Sequence, residues 1–223
     1  MSDLTVIYLT ANKLPVAFQR SQFAIFLRAI GDYPCLIVSR TKFFANTIVD
    51  IHDMGQKSHA NMYFQLLRAA KIATTEYVAV AEDDVLYSKE HFNFYRPPSD
   101  AVAYDMSRWS LFTWNPIFSL KQRVSNCTMI APRKYLIEAL EERFAKYDPD
   151  NFPPHLVSEI GRYEKNLGIT QRNMVKVYAE VPCVQFNHPN GTDSTEHRKK
   201  LGQIKAIEIP YWGRAEDLVK LYE

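Results

Sequence analysis

Residues 77–84 read YVAVAEDD, a short apolar run that passes directly into Glu82, Asp83 and Asp84. A continuous apolar run of this length predicts a strand that is buried on both faces of a sheet. Three adjacent carboxylates repel one another, and burial raises their pKa values further. A hard divalent cation relieves that repulsion, because Mg²⁺ and Mn²⁺ bind carboxylate and phosphate oxygens together. The stretch therefore predicts either a metal–diphosphate site at a strand end or a solvated acidic turn.

The chain before this stretch alternates between strand patterns and helix patterns. Residues 4–9 (LTVIYL) and 35–38 (CLIV) are short β-prone runs. Apolar residues recur at helical spacing from about residue 15 to residue 31, and again from about residue 57 to residue 73. The stripe on the first of these helices consists of Phe23, Phe26, Leu27 and Ile30. This β-α-β-α-β order implies a parallel sheet, in which ligands bind beyond the carboxyl ends of the strands.

The second half of the chain mixes strand and helix patterns. Helices are predicted from Pro132 to about Tyr147 and from about His155 to Asn166, and the chain from Asn187 onward is polar and is predicted to be irregular. Short strands are predicted at residues 101–104, 110–112, 127–130, 175–178 and 183–186. The chain has 223 residues, 47% of them apolar, which suits one compact domain.

Composition argues against several kinds of site. With 7 glycines and neither a GxGxxG nor a GxxxxGKS/T motif, the sequence offers no glycine-rich phosphate loop. Its cysteines, Cys35, Cys127 and Cys183, are widely spaced and form no CxxC pair. We therefore expect no zinc site, no disulfide framework and a cytoplasmic location. No apolar run approaches the roughly 20 residues of a membrane-spanning helix, so no membrane insertion is expected.

Residues 77–85, YVAVAEDDV, resemble the DXD-type motif of GT-A glycosyltransferases, and the Glu-Asp-Asp-Val form is similar to that of lipopolysaccharide-type galactosyltransferases. Residues 55–73 also resemble the helix that leads to this motif in the family. The resemblance covers residues 1–90 well and the rest loosely. It implies an α/β fold of the GT-A, Rossmann-like kind, with a mostly parallel sheet flanked by helices and a mixed α/β half for the acceptor.

The same resemblance implies an activity and a division of the chain. It implies that a sugar moves from a nucleotide sugar, expected to be a UDP-sugar, to an acceptor hydroxyl, with Mn²⁺ or Mg²⁺ as the cofactor. Residues 1–223 are then a single GT-A domain. We expect residues 1–100 to bind the nucleotide sugar, residues 101–186 to bind the acceptor, and residues 187–223 to form a C-terminal loop and tail.

Matching positions imply the residues of the site. Asp84 is expected to ligate the metal together with Glu82, while Glu82 or Asp83 contacts the donor ribose or a metal-bound water. A histidine from a late loop, His188 or else His197, is expected to add a metal ligand. The basic run that includes Arg198 and Lys199 suits the charge of a leaving diphosphate. The residues expected to contact the donor are Thr10, Ala11, Asn12, Arg40, Lys57, Asn61, Arg198 and Lys199.

An inverting transfer also needs a general base for the acceptor hydroxyl. On the helix predicted at residues 155–166, Glu159 lies away from the apolar face and is the candidate base. Asp148 and Asp150 are weaker alternatives, and a retaining enzyme needs none of the three.

The acceptor is expected to be a glycan or a hydroxylated base of modified DNA. Aromatic faces suit sugar rings or bases, although clustered aromatic residues are more often part of a core. Such a cluster follows the donor half and consists of Tyr104, Trp109, Phe112 and Trp114. Two other functions stay open from the sequence, a metal-dependent nucleotidyltransferase and a non-catalytic nucleotide-binding module, and so does the oligomeric state.

Overall fold

The computed structural model describes residues 2–41, 49–52, 59–153, 157–189 and 202–223. The strands in these residues are β1 (Leu4–Thr10), β2 (Cys35–Ser39), β3 (Val49–His52), β4 (Tyr77–Glu82), β5 (Val85–Leu86), β6 (Ala101–Asp105), β7 (Arg108–Phe112), β8 (Asn115–Leu120), β9 (Met129–Pro132), β10 (Asn173–Val177), β11 (Cys183–Asn187), β12 (Lys205–Ala206), β13 (Glu208–Ile209) and β14 (Gly213–Arg214). The helices are α1 (Val16–Ile30), α2 (His59–Ile72), α3 (Lys89–Asn93), α4 (Arg133–Lys146), α5 (Glu164–Leu167) and α6 (Ala215–Val219).

The central sheet has the strand order β10-β6-β9-β4-β1-β2-β3 within the described residues. Among these strands β9 runs antiparallel to its neighbours β4 and β6, and the other adjacent pairs are parallel. The chain places β2 and β3 on one side of β1 and then returns to place β4 on the other side. This reversal between β1 and β4 is a topological switch point, where open α/β sheets bind ligands. The predicted α/β fold with a mostly parallel sheet is confirmed.

Helices cover both faces of this sheet because β1 is apolar on both sides. Successive side chains of a strand point to opposite faces. Val6 and Tyr8 therefore pack with α1, where the rings of Tyr8 and Phe26 are 4.7 Å apart. Ile7 and Leu9 belong to the core beneath α2 and α4 on the other face.

The first helix follows its predicted bounds closely. It begins after Pro15 and ends at Gly31, whose φ of 57° is a conformation that L side chains rarely adopt. The predicted apolar stripe is only partly correct, because Leu27 is 42% exposed. Gln22, which is 1% exposed, lies on the buried face instead. The helix thus brings a polar side chain into the core, beneath the acidic turn.

A second sheet joins the acidic turn to the rest of the chain. Its described strands have the order β12-β8-β7-β11-β5, and β5 begins directly after the turn that ends β4. β11 pairs antiparallel with β5 and parallel with β7. The prediction of an irregular tail is wrong for part of residues 205–219, because β12 joins this sheet, β13 pairs with β14, and α6 follows.

The helix predicted at residues 155–166 is also wrong where the structure describes it. Residues 157–163 form no helix, and α5 covers only Glu164–Leu167. Gly161 has a φ of 88°, which no α-helix accommodates. Tertiary donors also take the backbone carbonyls of this segment: Arg143 donates to Ser158 O (2.9 Å) and the Tyr104 hydroxyl donates to Ile160 O (2.9 Å). None of the described helices is long and apolar enough to cross a membrane.

Candidate functional site

The acidic stretch forms the last residue of a strand and the turn that follows it. Glu82 ends β4, and Asp83 and Asp84 form the turn into β5. The backbone N–H of Asp83 donates to Leu9 O (3.2 Å), and the N–H of Phe186 donates to Asp84 O (2.7 Å). The turn is therefore fastened both to β1 of the central sheet and to β11 of the second sheet.

Buried polar side chains hold this turn in place. Gln22 accepts a hydrogen bond from the Tyr8 hydroxyl (2.6 Å) and donates through Nε2 to Val85 O (2.6 Å). The hydroxyl of Tyr87, which is 1% exposed, accepts from the backbone N–H of Glu82 (3.0 Å). Because hydrogen bonds are strengthened in a buried environment, these contacts keep the turn in one conformation.

The loop after β1 meets the acidic turn through Thr10. Its Oγ1 donates to Asp83 Oδ2 (2.5 Å) and accepts from the backbone N–H of Asn12 (3.0 Å). The side chain of Asn12 then reaches the residues that follow β2, where Oδ1 accepts from the backbone N–H groups of Arg40 (2.9 Å) and Thr41 (3.0 Å). One network of hydrogen bonds thus joins the carboxyl ends of β1, β2 and β4.

Asp84 faces polar side chains of the second sheet. Its Oδ2 accepts from Gln185 Nε2 (3.3 Å) and lies 3.8 Å from His188 Nε2. Arg108, which is 2% exposed, donates from Nη1 to Gln185 Oε1 (2.5 Å). The side chains of Asp84 and His188 are 17% and 6% exposed, so both lie at the border between the core and solvent.

Burial and mutual repulsion make the acidic residues hard to ionise. Burial, followed by the charges of Asp84 and Asp83, raises the pKa of Glu82 to about 8, and the Arg108 guanidinium opposes this rise. Burial and the charge of Asp84 raise the pKa of Asp83 to about 7, against the hydrogen bond from Thr10. The three side chains are half-buried, so the alternative of a fully solvated turn does not describe them.

The structure also describes three other predicted site residues, which are Glu159, Asn61 and Ala11. Glu159 is close enough that its charge contributes to the raised pKa of Glu82, and its Oε2 accepts from Arg162 Nη1 (3.0 Å). Asn61 of α2 is buried and accepts from Gln65 Nε2 (3.3 Å). Ala11 is half-buried in the loop after β1.

Several other candidates cannot be placed, because they lie outside the described residues: Lys57, His197, Arg198 and Lys199. Their contacts with the donor or with the metal stay predictions. Of the two candidate histidines, His188 lies within the described residues, beside Asp84.

Sequence reasoning missed the residues that support the turn. Gln185 interrupts the apolar strand CVQF, Arg108 begins a strand, and Gln22 lies on a buried helix face. A polar residue inside an otherwise apolar element was the available signal, because such a residue needs a buried partner. Periodicity alone could not identify that partner.

One exposed aromatic residue lies at the same end of β11 as His188. The N–H of Thr113 donates to the carbonyl of Asn187 (3.0 Å), next to His188 in the chain. Trp114 follows Thr113, is 54% exposed and packs edge-on against Phe112 with ring centroids 5.4 Å apart. Of the four aromatic residues singled out in the sequence, Tyr104 and Phe112 belong to the buried core.

The chemistry of the side chains around the turn fits a hard divalent cation. Glu82 and Asp84 offer carboxylate oxygens, and His188 offers an imidazole nitrogen. Oxygen-rich sets with at most one nitrogen suit Mg²⁺ or Mn²⁺. Asp83 is directed toward Thr10, which leaves the other three side chains as the candidate ligands. In the described residues their ligand atoms do not all lie within 4.8 Å of one another, so binding one cation requires these side chains to move closer together.

No protein-family model and no curated protein sequence matches this chain. Among solved structures, it is similar to a glycosyltransferase involved in the glycosylation of the major capsid of PBCV-1, with 11% identity, a TM-score of 0.48 and coverage of 82% of this chain and 92% of that one. It is also similar to the glycosyltransferase GlyE of Streptococcus pneumoniae TIGR4, with 10% identity, a TM-score of 0.48 and coverage of 78% and 45%. The bifunctional IspDF of Campylobacter jejuni aligns with 14% identity, a TM-score of 0.44 and coverage of 80% and 50%. The chain thus spans about half the length of the last two proteins. Because these TM-scores are below 0.5, the fold assignment rests on the order and direction of the strands in the central sheet.

Proposed function

We propose that this chain is a metal-dependent glycosyltransferase that moves a sugar from a nucleotide sugar to an acceptor hydroxyl. One observation carries the proposal: the acidic turn lies at the carboxyl end of β4, beside the end of β1, at the switch point of the sheet. A crevice at a switch point suits a nucleotide. Carboxylates at such a strand end accept a diphosphate only together with a cation that both can bind.

Asp84, Glu82 and His188 are the residues that we propose to hold Mn²⁺ or Mg²⁺. When bound, the cation acts as a Lewis acid for the negative charge on the departing nucleoside diphosphate. Gln185 fixes one oxygen of Asp84 and is itself held by Arg108. The carboxylate is therefore oriented before a ligand binds, as the outer partners of metal ligands commonly achieve.

The nucleoside is proposed to lie against the loop after β1. Asn12 accepts hydrogen bonds from the backbone of Arg40 and Thr41, so this loop and the end of β2 form one rigid rim. A rigid rim lowers the cost of ordering the site when the donor binds. A UDP-sugar is the donor that we propose to test first.

The acceptor is proposed to be a glycan. Glu159 is the candidate base, since its charge acts on Glu82 and its side chain is 20% exposed. Trp114 presents an exposed aromatic face of the kind that stacks on sugar rings. Modified DNA is the second acceptor class, which the reactions below distinguish from a glycan.

The proposal is tested by incubating the protein and Mn²⁺ with a panel of nucleotide sugars and measuring nucleoside diphosphate release. Glycan acceptors and hydroxymethylated DNA are added in separate reactions. We expect release with one class of donor, and we expect Asp84→Asn to lower it by about 100-fold or more, because a Lewis acid contributes several kcal/mol.

Asp217→Asn is the matched control. It makes the same chemical change at an exposed residue that pairs with Lys220 (2.7 Å), and it should leave release unchanged. Pyrophosphate release from nucleoside triphosphates, with no turnover of any nucleotide sugar, would instead identify a nucleotidyltransferase. Nucleotide binding without any turnover would identify a binding module.

A further inference from the structure

A second cluster of metal-ligating side chains lies in the core, away from the acidic turn's own residues. His91 of α3, Asp105 at the end of β6 and Cys183 at the start of β11 each present a ligand atom, and these atoms lie within 4.8 Å of one another. All three residues are at most 2% exposed. Three separate elements of the fold therefore converge on one buried point.

The distances resemble the edges of a metal coordination tetrahedron. His91 Nδ1 lies 3.2 Å from Asp105 Oδ2 and 3.4 Å from Cys183 Sγ. With Zn–N and Zn–O bonds of about 2.0–2.1 Å and Zn–S bonds of about 2.3 Å, tetrahedral geometry places nitrogen about 3.3 Å from oxygen and about 3.6 Å from sulfur. Both observed distances are within about 0.2 Å of these values.

Hydrogen bonding alone accounts less well for the same contacts. An imidazole Nδ1 offers one in-plane lobe, which carries either a proton or a lone pair. Here the carboxylate of Asp105 and the thiol of Cys183 both approach that single atom. A metal ion bound to Nδ1 can also bind the carboxylate of Asp105 and the sulfur of Cys183. A proton on Nδ1 can form a good hydrogen bond with only one of these two groups.

The surroundings of Asp105 also resemble those of a metal ligand. Its Oδ1 accepts from the backbone N–H groups of Ser107 (2.8 Å) and Ala179 (3.2 Å), which leaves Oδ2 directed toward His91. Carboxylates that bind metals are commonly oriented by such hydrogen bonds.

Charge balance favours a divalent ion in this core. His91, Asp105 and Cys183 are all buried, so a net charge in this core has no solvent to stabilise it. One carboxylate, one thiolate and a doubly charged cation sum to zero, which removes most of the cost of burying charge.

We propose that His91, Asp105 and Cys183 supply three of the four ligands of a zinc site. Zinc fits the mixed nitrogen, oxygen and sulfur ligands, and its binding displaces the thiol proton to solvent. The ion joins α3 to the end of β6 and the start of β11, the strand that contains Gln185 and leads to His188 beside Asp84. This inference does not depend on the proposed transferase activity.

The site is tested on the full chain by measuring bound zinc by mass spectrometry after purification in metal-free buffer. We expect one zinc per chain in the wild type and in Asp84→Asn, which alters only the acidic turn. Cys183→Ser should lose at least nine-tenths of it, while Cys127→Ser, a change at another buried cysteine, should retain it.

Cobalt substitution provides a test that does not require Cys183→Ser to fold. Co²⁺ added to chelator-treated wild-type protein should show a thiolate-to-cobalt charge-transfer band, which ligation by carboxylates alone cannot produce. The chain has three cysteines, so a band that persists in both Cys35→Ser and Cys127→Ser assigns the ligand to Cys183. Wild-type protein with neither bound zinc nor this band would overturn the proposal.

Discussion

The hydroxyl of Thr10 donates to Oδ2 of Asp83, although 73 residues separate the two in the chain. This contact joins the loop after the first strand to the acidic turn after the fourth strand. It also favours the ionised form of Asp83, in opposition to burial and to the charge of Asp84. This one hydrogen bond therefore holds together the two loops that border the switch point and also lowers the pKa of Asp83.

Replacing Thr10 with valine should weaken the site with little change of shape. Without the hydroxyl, the pKa of Asp83 rises further and the N–H of Asn12 loses its acceptor. We expect the affinity for Mn²⁺ at neutral pH to fall by up to about tenfold, because protonated Asp83 no longer adds its negative charge beside Glu82 and Asp84. Isothermal titration measures this affinity. Thr10→Ser keeps the hydroxyl and should retain it, and equal affinities for Thr10→Val and the wild type would contradict this role.

Gln185 links the buried guanidinium of Arg108 to Asp84, a candidate metal ligand, so replacing Gln185 should weaken metal binding. Gln185→Ala leaves Arg108 without its 2.5 Å partner and frees Asp84 to rotate. We expect Mn²⁺ affinity to fall by about 10–100-fold and the free energy of unfolding to fall by about 1–3 kcal/mol. Gln122→Ala, at an exposed glutamine, is the control for both measurements. If Gln185→Ala bound Mn²⁺ as tightly as the wild type, Gln185 would not be needed to orient Asp84.

Stability without divalent ions should decrease with rising pH. The pKa values of Glu82 and Asp83 rise from 4.5 and 3.8 to about 8 and about 7 in the folded protein. At pH values between the unfolded and the folded pKa of each group, the folded state holds more protons than the unfolded state. The free energy of unfolding therefore falls as pH rises. Each group contributes a slope of at most about 1.4 kcal/mol per pH unit, which ends above the folded pKa.

Urea denaturation in the presence of a chelator, from about pH 5 to about pH 8, measures this slope. Glu82→Gln removes the more strongly shifted group and should flatten the curve. Saturating Mn²⁺ should also reduce the slope, because a bound cation stabilises the ionised carboxylates. A curve that rises over this range in the chelated wild type, and is unchanged in Glu82→Gln, would show that these carboxylates ionise freely.

Glu159→Gln should separate sugar transfer from donor binding. A general base contributes about 10²–10⁴-fold to such a reaction, whereas an amide of the same shape cannot accept the proton. We expect transfer to fall by at least about 100-fold while the affinity for the nucleotide sugar stays within about threefold. Glu138→Gln, at an exposed residue of α4, is the matched control. Full transfer by Glu159→Gln would exclude it as the base and would agree with a retaining mechanism.

The sequence predicted those parts of the fold that depend on local patterns. The buried strand before Glu82 and the helix that ends at Gly31 are visible as an apolar run and a helical stripe followed by glycine. The helix expected at residues 155–166 fails, because Gly161 has a positive φ and distant side chains bind the backbone carbonyls beside it. Such contacts have no signature in the spacing of apolar residues.

The sequence itself marks the part of the site whose residues are adjacent in the chain, and the family resemblance adds His188. Three adjacent carboxylates mark the turn, but Gln185 and Arg108 reach Asp84 through strand pairing in the second sheet. The wide spacing of the cysteines likewise argued against zinc, since spacing rules detect ligands only on neighbouring turns. Cys183 meets its neighbours His91 and Asp105 through the tertiary fold.

The most direct test of the central claim is whether a divalent cation and a nucleoside diphosphate bind together at the acidic turn. Mn²⁺ binding is measured by isothermal titration with and without the diphosphate, for the wild type, Asp84→Asn and Asp217→Asn. We predict that the diphosphate strengthens Mn²⁺ binding by about tenfold or more in the wild type and in Asp217→Asn, and that Asp84→Asn abolishes this coupling. The account would be contradicted if the affinity for Mn²⁺ did not change when the diphosphate was added, or if it were the same in Asp84→Asn as in the wild type.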